Sequence, residues 1–335
     1  MISTELESLV ASAGRLEKWP LAKLISLFET ETEESKQSRQ QVMSYLQAQH
    51  KDGPGGFVLG ITGTPGAGKS SLIGELCLSL LASADGLSVA VLAVDPSSQS
   101  SGGALLGDRT RTQLPVSNPR IFFRSQASDL DLGGVGRKTF QVVRLLRYFF
   151  DLVIIETVGI GQSEVEVKTL SDHTVLVMQP LAGDQVQFMK AGVMEVPDTF
   201  VVNKCDEDSL AKKSYHLLKS SLKLVHIYVG AEGDGNKQIF LTSALKQKGI
   251  GELADFVMSQ ISLAGNRQSL QNLEAYYLKK QVARVYGTYG LAVLERYEKS
   301  GLSMLKTFEE KEQAIFQLLG AALPAVDSYC QVLSW

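Results

Sequence analysis

The sequence predicts an α/β fold: a mostly parallel sheet flanked by helices, with an N-terminal helical arm and a C-terminal helical extension. Three observations predict it. Short apolar runs alternate with helical patterns from residue 57 to about 262, the order that builds parallel sheets covered by helices. The first run, Phe57 to Ile61, leads into Gly63-Thr64-Pro65-Gly66-Ala67-Gly68-Lys69-Ser70, which fills the pattern G-x-x-x-x-G-K-[ST]. Behind it, Leu72, Ile73, Leu76, Cys77, Leu80 and Leu81 recur at helical spacing. Strand, glycine loop and helix in that order turn a pattern match into a phosphate site. The sheet is therefore of the P-loop NTPase kind.

Seven runs have the length and composition of strands: 57–62, 88–94, 120–124, 151–156, 173–178, 198–203 and 238–242. Helical patterns lie near 69–83, 134–149, 184–195, 208–224 and 250–263. The first fifty residues read as helical. Leu21, Leu24, Ile25 and Phe28 form one apolar stripe with Pro20 at its start, and Val42, Tyr45 and Leu46 form a second. Glu29, Glu31, Glu33 and Glu34 between them read as a solvated connection. Lys51-Asp-Gly-Pro-Gly-Gly is turn chemistry. The expected divisions are an arm over 1–52, a nucleotide domain over 53–264 and a helical extension over 265–335. In the extension, Leu278, Val282, Val285 and Tyr289 are spaced for one helix face.

The loop chemistry follows from the residue types. Glycines let the backbone form a nest of inward N–H groups. The helix start adds unpaired N–H groups and the positive end of its dipole. The candidate cradle runs from Gly63 through Ser70 and Ser71. Lys69 is placed to neutralise β- and γ-phosphates, and the Ser70 hydroxyl to ligate Mg²⁺.

Ligands in such sheets bind where strands end at their carboxyl side, so the residues after each apolar run come next. Asp95 ends the second run and suits a role in reaching Mg²⁺ through water or orienting the attacking water. A Ser- and Gly-rich stretch, Gln99 to Gly107, leads to Asp108-Arg109-Thr110-Arg111. That is the composition of a nucleotide-sensing switch, and Asp108 joins the candidate catalytic and metal-shell residues. The fourth run ends in Glu156-Thr157-Val158-Gly159. An acid followed three residues on by glycine is the second phosphate-sensing element of P-loop proteins. Glu156 is one methylene longer than the usual Asp, which favours metal contact through water. Ile160 stands where Ras-type enzymes carry their water-orienting Gln, so slow turnover alone and acceleration by a partner are expected.

Base choice falls to Asn203-Lys204-Cys205-Asp206, which fits N-K-x-D. Asp206 can accept both N1–H and N2–H of guanine, whereas adenine would leave the carboxylate unpaired. Asn203 can reach the base's acceptor edge and brace the loop, and the stem of Lys204 can lie along the ring. Ser243, Ala244 and Leu245 follow the next run, where a backbone N–H can reach guanine O6. GTP and GDP with Mg²⁺ are the expected ligands.

Composition bounds the setting. The chain has 335 residues and formal net charge −3, without the basic footprint of nucleic-acid binding. Cys77, Cys205 and Cys330 match no zinc or redox spacing. The acidic start carries no signal pattern, and no apolar stretch approaches the 18 residues of a membrane span. A cytoplasmic protein with no membrane association is expected.

Five stretches resemble one family in register: GITGTPGAGKSSL, VLAVDPSSQSSGGALLGDRTR, LGGVGRKT, IIETVGIGQSE and QPLAGDQVQFMKAGVMEV. Together they look like the MeaB/ArgK family, G-protein chaperones of cobalamin-dependent acyl-CoA mutases such as methylmalonyl-CoA mutase. The likeness runs from about residue 15 to 262. It implies a GTPase that gates adenosylcobalamin loading and protects the mutase from inactivation. It also implies a third switch from Gln179 to Lys190 facing the mutase, with Gly183 and Asp184 breaking the apolar run and Gln185, Gln187 and Lys190 polar. A homodimer through the C-terminal helices is carried over from the same resemblance. The chain departs from the family at Arg109, where Lys is usual, and at Cys205, where Ala is usual. Residues 225–237 look like a local elaboration. Two other readings compete. A nickel metallochaperone GTPase would usually carry a His-rich tract, and His50, His173, His216 and His226 are scattered. A kinase of an amino-acid transport system would need a phospho-acceptor for which the sequence offers no sign.

Overall fold

A computed structural model of the chain describes residues 2–95, 115–127, 135–157, 163–180, 196–229, 237–263, 270–298, 305 and 307–332. All seven expected strands form one sheet: β1 (Phe57–Gly63), β2 (Val89–Asp95), β3 (Ile121–Ala127), β4 (Leu152–Thr157), β5 (His173–Met178), β6 (Thr199–Val202) and β7 (Gln238–Leu241). Their order across the sheet is β3-β2-β4-β1-β5-β6-β7, and every pairing is parallel. After β1 the chain moves past the position of β4 to form β2 and β3, then returns to β4 and crosses β1 to β5. The glycine loop leaves β1 at that reversal, where open sheets of this kind leave a crevice.

Strand side chains alternate between two covered faces. Phe57, Leu59 and Ile61 of β1, Leu152 and Ile154 of β4, and Val175 and Val177 of β5 point to one face. There they meet α4 (Lys69–Ser83) and α8 (Ile250–Ser262). Cys77 lies in this layer, and burial pushes its thiol up to about 12, which suits a packing role. Val58, Val153 and Ile155 point to the other face, under α5 (Arg137–Leu146) and α6 (Ser163–Leu170). Farther along that face, α7 (Asp208–Val229) covers Leu176, Met178, Phe200 and Val202.

The arm and the extension pack onto the same side as α5. Three helices precede the sheet: α1 (Thr4–Gly14), α2 (Lys18–Glu29) and α3 (Glu33–Gln49). Ser3 caps α1 by accepting from the Leu6 amide, and Thr32 caps α3 by accepting from Ser35 (3.3 Å each). Both expected stripes are buried, apart from Tyr45, which is half-buried. They share one core with α5, α9 (Leu270–Glu298) and α10 (Phe308–Val332).

Several expectations need correction. α6 is not among the expected helices, because Ser163-Glu-Val-Glu-Val-Lys-Thr-Leu alternates with a period of two. Its close seat on β1 shows in Gly60, where a Cβ would lie 2.3 Å from Val167 Cγ1. The acidic connection is not simply solvated: Glu29 pairs with Arg124, and Glu31 with Arg137 at 2.8 Å. In α9, Leu278 and Val282 are buried as expected, but Val285 and Tyr289 are exposed. The helix breaks at Gly287 (φ 58°, ψ −148°), between those two exposed positions, and Gly290 and Leu294 beyond it are buried again. The expected helix over 184–195 lies outside the described residues.

Candidate functional site

The glycine loop joins β1 to α4 at the carboxyl edge of the sheet. Two glycines are required by contact as well as conformation. Gly63 has φ +146°, and a Cβ there would stand 1.9 Å from the Val177 carbonyl oxygen. Gly68 has φ +80° at the N-cap of α4, and a Cβ there would stand 2.7 Å from Asn203 Nδ2. No side chain caps α4. The N–H groups of Lys69, Ser70 and Ser71 therefore open its first turn without intrahelical acceptors, the arrangement that attracts anions.

Lys69 is buried, and its Nζ donates to the carbonyl oxygens of Gly63 (3.0 Å) and Thr64 (3.1 Å). The ammonium thus lies against the loop it would serve. The Thr64 hydroxyl is buried and has no hydrogen-bond partner among the described residues. Pro65 is exposed at the loop tip, Gly66 is left-handed, and Ala67 is buried. Gln179, expected in the partner switch, stands beside the loop: a Cβ on Gly66 would lie 3.5 Å from its Nε2.

Ser70 Oγ donates to Glu156 Oε1 at 2.7 Å. Glu156 is buried near the end of β4, on the α4 side of the sheet. This pair brings a hydroxyl and a carboxylate into contact next to the loop. Hard oxygen donors of that type suit Mg²⁺, which usually keeps several waters and takes phosphate oxygens rather than an all-protein cage. Among the described residues, no group of three or more His, Cys, Asp or Glu side chains could hold a metal. Asp95 ends β2, with its backbone one residue beyond the Val94–Thr157 pairing, so it reaches the same carboxyl edge. The Asp95 side chain, Asp108, Gly159, Gly183, Asp184, Gln185, Gln187 and Lys190 lie outside the described residues.

The second cluster follows β6 and β7. Asn203 is buried and links three segments. Its Nδ2 donates to the carbonyl oxygens of Ala67 (2.9 Å) and Gly68 (3.3 Å) in the glycine loop. Its Oδ1 accepts from the Thr242 hydroxyl (3.1 Å) and the Ala244 amide (3.4 Å). The bracing expected of Asn203 is therefore present. Lys204 takes a left-handed conformation (φ 62°) and its Cε approaches Gly68. Asp206 accepts from Ser243 Oγ at 2.5 Å.

Two contributors were not foreseen. The Ser243 hydroxyl fixes the Asp206 carboxylate, whereas the sequence suggested only backbone contacts there. Lys246 donates to the Asp206 carbonyl oxygen (2.7 Å), and its amide donates to Ser243 Oγ (3.0 Å). Neither belongs to the N-K-x-D pattern; both depend on β6 and β7 being neighbours. The Leu245 side chain is 86% exposed.

The arrangement can cradle phosphates, supply oxygen donors to a hard cation, and present one carboxylate to a base edge. Comparison with known proteins agrees with that chemistry. Residues 21–285 match the family model described as Methylmalonyl Co-A mutase-associated GTPase MeaB. The chain is 36% identical over 230 residues to GTPase ArgK of Escherichia coli, covering 67% of this chain and 68% of that one. It is 45% identical over 157 residues to the mitochondrial methylmalonic aciduria type A homolog of Caenorhabditis briggsae, covering 47% and 38%. Among solved structures, one titled as a LAO/AO transport system kinase aligns with TM-score 0.64 over 96% of this chain and 99% of its own, at 23% identity. That last likeness is one of fold.

Proposed function

The chain belongs to the MeaB family of GTPases, and from that premise we propose that it is the nucleotide-driven chaperone of a cobalamin-dependent acyl-CoA mutase, gating adenosylcobalamin loading and protecting the mutase from inactivation. The observation that carries this reading is the family match over residues 21–285 under a description that names methylmalonyl-CoA mutase. The relative named for methylmalonic aciduria points the same way.

In this reading the loop from Gly63 to Ser71 binds the phosphates of GTP or GDP. Lys69 exchanges its loop carbonyls for β- and γ-phosphate oxygens. Asp206, oriented by Ser243, selects guanine. Ser70, and Glu156 through water, would hold Mg²⁺, with Asp95 and Asp108 nearby in its shell; the bound ion would neutralise charge on the phosphates. Gly159 reports the γ-phosphate, and the switch from Gln179 through Lys190 meets the mutase. The working units are an arm over 1–52, the GTPase domain over 53–264, and an extension over 265–335 through which two copies pair.

The test is GTP turnover by the full chain with and without purified methylmalonyl-CoA mutase and its isobutyryl-CoA and hydroxyisobutyryl-CoA counterparts. A slow rate alone that rises with one of them is expected. Turnover unmoved by all three overturns the chaperone reading and leaves the GTPase intact. Transfer of labelled γ-phosphate to protein rather than water would support a kinase instead.

A further inference from the structure

The groove between α7 and the outer edge of β7 has features that the nucleotide site does not use. β6 pairs with one side of β7, and among the described residues no strand pairs with the other. A strand edge of this kind presents N–H and C=O groups that a further strand can take up. α7 lies alongside and leaves a groove of about 380 Å³, lined by Tyr215, Lys219 and Lys223 of the helix and by Lys237, Ile239 and Phe240 of the strand side. Three ammonium groups thus line one groove in a chain whose formal net charge is −3. Lys219 lies against the Tyr215 ring (5.5 Å to its centroid), and Lys237 donates to the Pro197 carbonyl oxygen at 2.7 Å. Lys219 and Lys223 are exposed on the helix beside the groove.

The spacing points to a particular occupant. Lys219 and Lys223 are about 6 Å apart along the helix axis. Alternate side chains of an extended peptide are about 6.6–6.8 Å apart. We propose that this groove takes an acidic, extended segment of a partner protein as an eighth strand beside β7. Carboxylates at alternate positions meet Lys219 and Lys223, and Lys237 meets the end of the segment beside the start of β7. The apolar side chains of Ile239 and Phe240 flank the added strand. A polyphosphate or nucleic acid would satisfy the lysines but has no peptide groups to pair with β7. Lysines beside an edge strand also serve simply to deter aggregation; that role binds no peptide, so binding separates the two. The inference does not depend on the identity of the mutase.

Fluorescein-labelled (Thr-Glu)₅ is titrated into the full-length protein and followed by anisotropy. Saturable binding is expected, weakening at high salt. (Pro-Glu)₅ keeps the charge but removes the N–H groups a ladder needs, and is expected to bind at least about tenfold more weakly. The variants Lys219→Glu/Lys223→Glu and Lys219→Gln/Lys223→Gln should each lose binding by a similar factor while GTP turnover is unchanged. The glutamine pair guards against misfolding in the charge-reversed one. No saturable binding of (Thr-Glu)₅, equal binding of (Pro-Glu)₅, or unchanged binding in the glutamine pair overturns the proposal. Full competition by inorganic polyphosphate together with equal peptide affinities would assign the groove to anions in general, which also overturns it.

Discussion

The two faces of the sheet are built differently. Under α4 and α8 the cover is aliphatic and aromatic, with Leu72, Ile73, Leu76, Leu253 and Val257 meeting the strands. Under α5, where the arm and the extension converge, charge runs through the packing. Arg144 is fully buried. Its guanidinium donates to Glu274 (2.7 and 3.0 Å), Glu309 (2.7 Å) and Gln141 (2.6 Å), and lies 4.8 Å from the Phe308 ring centroid and 5.3 Å from that of Phe140. Burial opposes its charge, but Glu309 and Glu274 outweigh that and hold its pKa above the usual value. Beside it, Arg137 joins Glu31 of the arm to Glu312 of the extension (2.8 and 2.7 Å). The apolar face carries the glycine loop; the charged face ties the chain's two ends to α5. Apolar packing is directionless, whereas a buried ion cluster is destabilised when any one partner is withdrawn. The contrast assigns nucleotide chemistry to the first face and fixed placement of the terminal helices to the second.

Removing the centre of the charged face should have the largest effect. Arg144→Met leaves Glu274 and Glu309 buried and unpaired, a loss of about 3–5 kcal/mol. Replacing all three residues with Met should recover most of it, since apolar groups of similar volume often substitute for buried ion sets. Urea melts of the single and triple variants check this. A single variant as stable as the parent would remove the distinction between the faces.

On the apolar face the sensitive residues are at its rim. Lys69→Ala should abolish GTP binding and turnover with it, a loss of at least about 10²–10³-fold, the cost of deleting one preorganised charge-stabilising group. Its melting point should stay near the parent's, because the packing beneath α4 does not use the ammonium. Calorimetry with GTP and magnesium, beside a thermal melt, reads both quantities; normal GTP binding would refute the loop assignment. A smaller effect is expected at Asp206. Asp206→Asn removes an acceptor for guanine and adds a donor suited to the oxo group of xanthine. Affinity for guanine nucleotides should fall by about 1.5–3 kcal/mol, the worth of hydrogen bonds to a charged group, and xanthine nucleotides should gain. Unchanged base preference would exclude this carboxylate as the selector.

The apolar packing of both faces was legible in the sequence, whereas the ion pairs of the charged face were not. Seven strands and α4 announce themselves through runs of neighbouring residues, and the glycine loop through one contiguous pattern. Even Asn203 and Asp206 lie within four residues. By contrast, Arg144 meets Glu274 and Glu309 at separations of 130 and 165 residues, and nothing local distinguishes it as a core residue from Arg137 and Lys138 in the same helix. Glu29 and Glu31 read as solvated for the same reason: their partners Arg124 and Arg137 lie about a hundred residues away. Ser243 and Lys246 were missed at the site because their contact with Asp206 depends on strand order, which periodicity does not contain.

The smallest expected effect is a pH dependence at the rim of the apolar face. His173 opens β5, its Nε2 is 2.8 Å from Thr199 Oγ1, and its ring meets Phe256 edge-on at 5.4 Å. Burial lowers its pKa; Asp198 pulls in the opposite direction and Lys168 adds to the lowering. The folded protein therefore prefers the neutral imidazole. Above the ordinary histidine value of about 6.5 both states are neutral there, and the contribution to stability is complete. As pH falls through that value the unfolded chain takes the proton first, so stability is lost until the folded protein also protonates. His173→Gln should flatten that part of the profile while leaving the Arg144 cluster untouched. Urea melts of parent and variant at pH 7.5, 6.5 and 5.5 measure the difference. Parallel profiles would mean that acid sensitivity in this range belongs to groups other than His173.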